Sequence, residues 1–152
     1  MEISTRPVTR ADLDELIALM GDYCDFYRVD PGSDRLRQLA EALIDSPSEG
    51  VQILARDDGG AAVGFATVYW TWQTLTASRV GVMNDLFVVP SARGEGVADR
   101  LIADCVERCR ERGADSLVWQ TALDNRRAQA VYERVGAVSE RWLDYSLSVA
   151  PR

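Results

Sequence analysis

One turn, Arg93-Gly94-Glu95-Gly96-Val97-Ala98, constrains this chain most because it joins a strand pattern to a helix pattern. The apolar run before it, 86–89, is ended by Pro90 and predicts a buried strand. The residues after it predict one apolar helix face, made of Val97, Leu101, Cys105 and Cys109. Successive N–H groups in such a turn, together with the helix dipole, attract a phosphate or pyrophosphate, and Arg93 can add a charged contact. The turn therefore predicts a site for a phosphorylated ligand, with a tight turn that only caps the helix as the alternative.

Residue types that are missing from the chain exclude several chemistries. There is no lysine for a Walker loop or a Schiff base, and Asp99 stands where a dinucleotide fingerprint needs its third glycine. There is also no histidine, which excludes Ser-His-Asp or Cys-His nucleophiles and histidine metal sites. The three cysteines contain no CxxC pair, and Cys105 and Cys109 are expected to be core residues. Any catalysis must therefore use carboxylates, tyrosine, arginine and backbone groups, and we expect no metal.

Length and charge bound the kind of protein. The 152 residues are expected to form a single domain, residues 1–152. We see no membrane-spanning run and no leader, so we expect a cytoplasmic protein without a membrane partner. The net charge is −7, of which residues 1–50 carry −6, so we expect no nucleic acid partner. The acidic first third could attract a cationic small molecule or could simply be a solvated face.

The hydrophobic pattern predicts the element order β-α-α-β-β-β-α-β-α-β. The predicted strands are 2–6, 51–56, 61–72, 79–89, 116–121 and 138–149. The predicted helices lie between 13 and 27, between 33 and 46, from the glycine turn to about Arg112, and over 125–135. The passage from 80 to 121 predicts a right-handed parallel crossover, and so a mixed α/β sheet covered by helices.

That order, with the glycine turn after the fourth strand, resembles the GNAT superfamily of N-acetyltransferases. The acyl-CoA loop of that family reads Arg/Gln-x-x-Gly-x-Gly/Ala, which Arg93, Gly96 and Ala98 match. A second stretch, 125–137, matches the family pattern Asn…Ala…Tyr-Glu…Gly-Ala/Phe. The resemblance covers nearly the whole chain, and residues 83–98 are most similar to the diamine and polyamine acetyltransferase-like branch.

The resemblance implies a fold and a co-substrate. The fold is α/β of the α+β type, a mixed, mainly antiparallel sheet with one parallel splayed strand pair and helices on both faces. The co-substrate is acetyl-CoA, with its pantetheine arm along the strand before the turn and its pyrophosphate at the turn. The cofactor-binding residues implied are Leu86, Phe87, Val88, Arg93, Gly94, Glu95, Gly96, Val97, Ala98, Asn125 and Tyr132. Asn125 also stands where a helix N-cap belongs, and both roles are compatible.

The resemblance also suggests catalytic residues. Tyr132 matches the family tyrosine that protonates the leaving sulfur, although it could be a simple helix packing residue. An acid that commonly serves as the base in the polyamine branch is replaced by Asn84, and Asp85 is the adjacent acid. Strict alternation puts Asn84 and Asp85 on opposite faces, but a β-bulge could re-aim either side chain. The proton acceptor is therefore Asp85 or a water chain in which Asn84 orients water or amine.

For the acceptor we expect a small-molecule amine. Carboxylates beside aromatic faces suit an ammonium group, and the candidates are Asp25, Tyr27, Trp70 and Asn84. These aromatic residues could instead be core or dimer contacts, and the family resemblance favours a homodimer. The function implied is acetyl transfer to the primary amine of a small cationic molecule or an amino-acid derivative. The alternatives are a non-catalytic acyl-CoA-binding regulatory module and a peptide N-terminal acetyltransferase.

Overall fold

The computed structural model describes residues 1–151, so Arg152, the last residue of the predicted domain, lies outside it. Residues 1–120 form one compact unit, and the residues from 121 onward form a second. The first unit contains β1 Ser4–Pro7, α1 Leu13–Phe26, α2 Ser33–Asp45, β2 Gly50–Arg56, β3 Ala62–Gln73, β4 Ser78–Val88, α3 Val97–Glu111 and β5 Ala114–Val118. The second contains α4 Arg126–Arg134. No helix in the described part of the chain is long and apolar enough to span a bilayer.

The five strands form one sheet in the order β1-β2-β3-β4-β5. The first three pairs are antiparallel, and β4 and β5 are parallel, joined through α3. This confirms the predicted mixed, mainly antiparallel sheet. Most predicted bounds shift by one to three residues; the fifth strand, for example, begins at Ala114 and ends at Val118.

The parallel pair separates part way along β4. Its register runs from Arg79 opposite Ala114 to Val82 opposite Val118, and no described residue of β5 pairs with β4 beyond that point. From Met83 to Val88, β4 keeps its antiparallel partner β3. The edge of β4 that faces away from β3 therefore leaves backbone groups free of sheet pairing over Leu86–Val88, where the pantetheine arm is predicted.

Helices cover both faces of this sheet, as predicted. On one face, α1 and α2 pack over a buried cluster of Leu13, Leu16, Ile17, Leu19, Met20, Ala40, Leu54, Phe65 and Phe87. On the other face, α3 lies so close that a Cβ on Gly81 would come within 2.5 Å of Cys109 Sγ. Cys105 and Cys109 are buried and free, in agreement with their expected core role.

The described residues of the second unit form a capped helix and no strand. Asn125 Oδ1 accepts a hydrogen bond from the Ala128 N–H at 3.2 Å, and Gly136, at φ +89°, follows the helix end. The predicted strand over 138–149 is wrong, because these residues form neither strand nor helix. A strand requires a hydrogen-bonded neighbour, and the part of this unit that the structure describes offers none.

Candidate active site

The glycine turn is open, as a ligand-binding turn must be. Gly94 and Gly96 adopt φ +84° and +81°, a left-handed conformation that suits glycine. A Cβ placed on either residue would meet no atom within 4 Å. Gly96 is the N-cap of α3 and offers no side-chain cap, so the first N–H groups of the helix lack an intrahelical acceptor. Open space and backbone donors at a helix start fit a pyrophosphate.

The residues that flank the turn anchor it. Val97, at 1% exposure, fixes the first turn of α3 in the core, while Glu95 is exposed. Arg93 Nε donates to the Val88 carbonyl at 3.2 Å, which ties the turn to the end of β4. Ala98 is partly buried on the helix. The turn is thus held in place by its ends, and its glycines remain accessible.

A β-bulge at Asn84 decides where Asp85 points. Asp85 lies opposite Thr67, and Met83 lies opposite the next residue, Val68, so Asn84 is the extra residue of β4. The bulge therefore sends Met83 and Asp85 to opposite faces, although strict alternation would place them together. Met83 is buried on the α3 face, and Asp85 turns toward α1.

Asp85 lies in a group of polar side chains on the α1 face. Asn84 Nδ2 donates to Asp85 Oδ1 at 3.0 Å. The hydroxyl side chains of Thr67, opposite Asp85 in the strand pairing, and of Tyr23 lie beside this carboxylate as further donors. Burial raises the pKa of Asp85 above its ordinary value, and these three donors partly oppose the rise. A carboxyl with a raised pKa is a stronger proton acceptor than an exposed aspartate.

Aromatic rings cluster around Tyr23, which lies beside this carboxylate. The Tyr23 ring lies 5.1 Å from Tyr27, 5.9 Å from Phe65 and 6.2 Å from Phe87, all edge to face. Burial and the nearby Asp85 raise the pKa of Tyr23, so its hydroxyl stays protonated and acts as a donor. Burial and the charge of Asp85 also raise the pKa of Tyr69.

The predicted acceptor residues divide between two places. Tyr27 is in ring contact with Tyr23, and the exposed Asp25 lies on the same helix. Trp70 lies on the opposite face of β3, where its ring is 5.9 Å from the guanidinium of Arg112, which follows α3. The structure does not bring Trp70 to Asp85, because neighbouring residues of a strand point to opposite faces and Tyr69 holds the Asp85 side.

Asn125 and Tyr132 belong to the second unit. Asn125 caps α4 through its side chain, so its predicted capping role is confirmed. Tyr132 is a partly buried residue of the same helix, and its carbonyl accepts from the Ala137 N–H at 3.0 Å. Their predicted roles toward acetyl-CoA stay predictions.

Two buried polar residues on the same face of the sheet as Asp85 were missed by the sequence reasoning. Thr67 and Gln52 are buried polar residues in strands that otherwise read as apolar, with exposures of 0% and 4%. Each interrupts a run of hydrophobic residues, 51–54 in β2 and 65–68 in β3. A polar side chain inside such a run was the available signal, because buried polar groups need specific partners.

Known proteins are similar to this chain in sequence and in fold. A model of the Acetyltransferase (GNAT) family matches residues 16–137. The chain is 32% identical over 150 residues to the uncharacterized N-acetyltransferase YhfO of Bacillus subtilis (strain 168), a match that covers 97% of this chain and 98% of YhfO. It is 25% identical over 131 residues to the aminoalkylphosphonate N-acetyltransferase of Salmonella typhimurium, covering 86% of this chain and 82% of that one. The crystal structure of a probable acetyltransferase superposes with a TM-score of 0.84 at 30% identity, over 100% of both chains.

The chain therefore belongs to the GNAT acetyltransferase family. It is an acetyltransferase enzyme, and its family uses acetyl-CoA as the acetyl donor.

Proposed function

We propose that this enzyme transfers an acetyl group from acetyl-CoA directly to the primary amine of a small cationic molecule or an amino-acid derivative. The observation that carries the proposal is the Asp85 carboxylate, which the β4 bulge turns toward α1 beside Tyr23 and Tyr69. An aromatic-lined carboxylate suits an ammonium group, which is attracted both to the charge and to the ring faces. The acids of α1 and its following loop, Asp22, Asp25 and Asp30, add to the attraction.

Proton removal from the amine is the role we assign to Asp85. A lysine-like amine has a pKa near 10.4 and must lose a proton before it can attack a carbonyl. Burial raises the pKa of Asp85, which brings this base closer to neutral pH and so improves it as a proton acceptor. Asn84, bonded to Asp85 at 3.0 Å, orients the carboxylate. A water chain that carries the proton to solvent is the alternative route.

The donor side of the reaction uses the other predicted residues. Acetyl-CoA supplies an activated acetyl group and a thiolate leaving group when it is bound. In this proposal the backbone of Leu86, Phe87 and Val88 holds the pantetheine arm, and the Arg93–Ala98 turn holds the pyrophosphate. Tyr132 donates a proton to the departing sulfur, for which a phenol is a suitable acid since a thiol has a pKa near 8.5.

We also infer the domain organisation, the cellular location and the oligomeric state of the enzyme. We infer a single acetyltransferase domain over residues 1–152, acting in the cytoplasm as a homodimer, as the family resemblance suggests. The side chains of Trp142, Tyr145 and Val149 are 80%, 90% and 91% exposed, and exposed apolar groups of this kind are typical of a partner surface. Light scattering that gave the mass of one chain in solution would contradict the dimer.

An acceptor panel tests the proposed activity. Purified protein with acetyl-CoA is assayed for free thiol in the presence of diamines, amino-acid derivatives, aminoalkylphosphonates and peptides with free N-termini. We expect steady thiol release with diamines or amino-acid derivatives, and slower release with aminoalkylphosphonates because the acidic α1 repels the phosphonate. Mass spectrometry of the product identifies the acetylated amine.

Two outcomes would count against the proposal. Acetylation of peptides but not of small amines would indicate an N-terminal acetyltransferase, and no thiol release with any amine would indicate a non-catalytic binding module. The control is a version of each active amine in which every primary amino group is dimethylated, since a tertiary amine cannot form a stable amide and should release no thiol above background.

A further inference from the structure

Three polar side chains form one row across the centre of the sheet. Gln52 of β2 lies opposite Thr67 of β3, and Thr67 lies opposite Asp85 of β4. All three face α1, where Gln52 Nε2 also lies 3.6 Å from Met20 Sδ. Gln52 and Thr67 are almost fully buried, so this row is a built feature of the core and not a solvated surface.

The hydrogen bond between Gln52 and Thr67 has a defined direction. Gln52 Nε2 donates to Thr67 Oγ1 at 3.2 Å. A hydroxyl carries one proton, and an amide nitrogen can only donate, so Thr67 accepts from Gln52 and keeps its own proton for another acceptor. The acceptor beside it is the carboxylate of Asp85, which lies directly opposite Thr67 in the strand pairing.

Gln52 occupies its position at a cost. Its Oε1 atom is buried and finds no partner among the described protein atoms. An unpaired buried acceptor destabilises a protein, and an apolar residue at this strand position would avoid the loss. A polar residue kept at such a position needs a reason beyond packing, and the oriented Thr67 hydroxyl supplies one.

We propose that Gln52 and Thr67 are positioning residues that hold a hydrogen-bond donor against Asp85 and so set the pH at which this carboxylate accepts a proton. The inference rests on the proposed function in that Asp85 is the base. Neither residue is expected to touch the substrate or the co-substrate. Gln52 acts through Thr67, and Thr67 acts through Asp85.

The other groups that face Asp85 add no charge at neutral pH. They are Tyr23 and Cys24 of α1, Tyr69 of β3 and the neighbouring Asn84. Burial together with the charge of Asp85 raises the pKa of Tyr23, of Cys24 and of Tyr69, so all three are uncharged where the enzyme works. The ionisation of Asp85 therefore depends on neutral donors. Among them, Thr67 is held in place by a hydrogen bond from Gln52.

The direction of the expected shift follows from the donor. A hydrogen bond to the charged carboxylate lowers its pKa, so the loss of the Thr67 hydroxyl must raise it further. Thr67→Val removes the hydroxyl and nearly keeps the shape of the side chain. We expect the pKa of Asp85 to rise by about one pH unit, the size that one hydrogen bond to a charged group supports. The acidic limb of the kcat/KM profile should move to higher pH by the same amount.

The test measures Asp85 directly and through the rate. Carboxyl carbon NMR follows the titration of Asp85, which is assigned by the signal that Asp85→Asn removes. We expect the pKa of Asp85 to rise in Thr67→Val and to rise less in Gln52→Leu. Thr67→Ser, which keeps a hydroxyl, should titrate like the unmodified protein. Ile53→Val, a buried neighbour in β2, is the matched control and should leave titration and rate unchanged.

Two results separate this inference from the proposed function. An unshifted Asp85 titration in Thr67→Val would overturn the positioning role, and Gln52→Leu decides in the same way if Thr67→Val does not fold. A different result is an Asp85 titration that shifts in Thr67→Val while the kcat/KM profile stays unchanged both in that variant and in Asp85→Asn. This result would retain Thr67 and Gln52 as the residues that set the Asp85 pKa. It would remove Asp85 as the base.

Discussion

Single residues decide the chemistry at the centre of this sheet. Sequence reasoning left the proton acceptor as Asp85 or a water chain and noted that a β-bulge could re-aim Asn84 or Asp85. The bulge at Asn84 turns Asp85 toward α1, where burial raises its pKa. Thr67 and Gln52 were missed because the partner of a buried polar side chain is set by the residue-by-residue register between two strands, which the hydrophobic pattern of one strand does not show.

Tyr132 carries the most direct prediction at this scale. Tyr132→Phe removes the proposed acid and keeps the ring, so kcat should fall on the order of 100-fold, within the range of general acid catalysis. The affinity for acetyl-CoA, measured by calorimetry, should change little. The fall should be largest with acetyl-CoA and smaller with a thioester whose thiol has a lower pKa, because a better leaving group needs less protonation.

Tyr145→Phe is the control for that substitution. Tyr145 lies in the same unit, and phenylalanine keeps the ring that the proposed partner surface would use, so the loss of its hydroxyl should leave the rate unchanged. An unaltered kcat in Tyr132→Phe would remove the acid role of Tyr132.

At the scale of elements, the turn between β4 and α3 matched the sequence prediction closely. Local chemistry explains this, since Pro90 ends the strand, two glycines take positive φ, and the helix starts at Val97. The predicted strand over 138–149 failed for the opposite reason. An alternating pattern shows which residues would share a face, but a strand forms only where a partner strand supplies hydrogen bonds.

Gly96→Asp tests the role of the turn. The substitution puts a negative charge where a pyrophosphate is expected to approach, so the dissociation constant of acetyl-CoA should rise by more than about 100-fold, a loss of roughly 3 kcal/mol. Isothermal titration calorimetry measures the affinity, and circular dichroism checks that the variant is folded.

Gly32→Asp is a matched control. Gly32 has φ +88° and is the N-cap of α2, and a Cβ added there would meet no atom within 4 Å, as is true of Gly96 beside α3. The two variants share a positive φ and an added charge, while ψ is 142° at Gly32 and 9° at Gly96, so the strain is larger in the control. A folded Gly32→Asp should bind acetyl-CoA normally. Equal affinity in a folded Gly96→Asp would show that the turn does not hold the pyrophosphate.

At the scale of the whole first unit, a group of charges joins its first and second strands to α1. Asp12 is almost fully buried, and its carboxylate accepts hydrogen bonds from both terminal guanidinium nitrogens of Arg6 at 2.7 and 2.8 Å. Arg56 Nη2 lies 3.0 Å from Asp12 and also pairs with Glu15. The hydrogen bonds from Arg6 hold the pKa of Asp12 well below its ordinary value, and those from Thr9 and Arg56 act in the same direction.

This cluster predicts a stability that depends on pH. A carboxyl whose folded pKa is depressed stabilises the protein above its unfolded pKa, near 3.9, and loses that effect as pH falls toward the folded value. Asp12→Asn should lower the free energy of unfolding by about 2 kcal/mol at pH 7, and the half-exposed Arg6 keeps the loss moderate because it can be solvated.

Denaturant unfolding at several pH values measures the effect. The difference between Asp12→Asn and the unmodified protein should be constant above about pH 5 and should shrink below about pH 4. Asp45→Asn breaks an exposed pair with Arg10 and should cost less than about 0.5 kcal/mol. A difference for Asp12→Asn that does not change with pH would contradict the ion-pair explanation.

The amino-acid sequence alone was enough to predict the family, the order of all elements but the last, and the position of the glycine turn. The order and the turn depend on short-range properties, namely hydrophobic period, helix caps and the conformations that glycine and proline allow, and the family followed from the resemblance of 93–98 and 125–137 to its motifs. The packing of the folded chain was needed to establish the bulge at Asn84, the direction of Asp85, the row through Thr67 and Gln52, and the placement of Trp70 beside Arg112. These depend on side-chain packing and on the residue-by-residue register between paired strands, where a shift of one residue reverses the face and which the hydrophobic pattern alone does not encode.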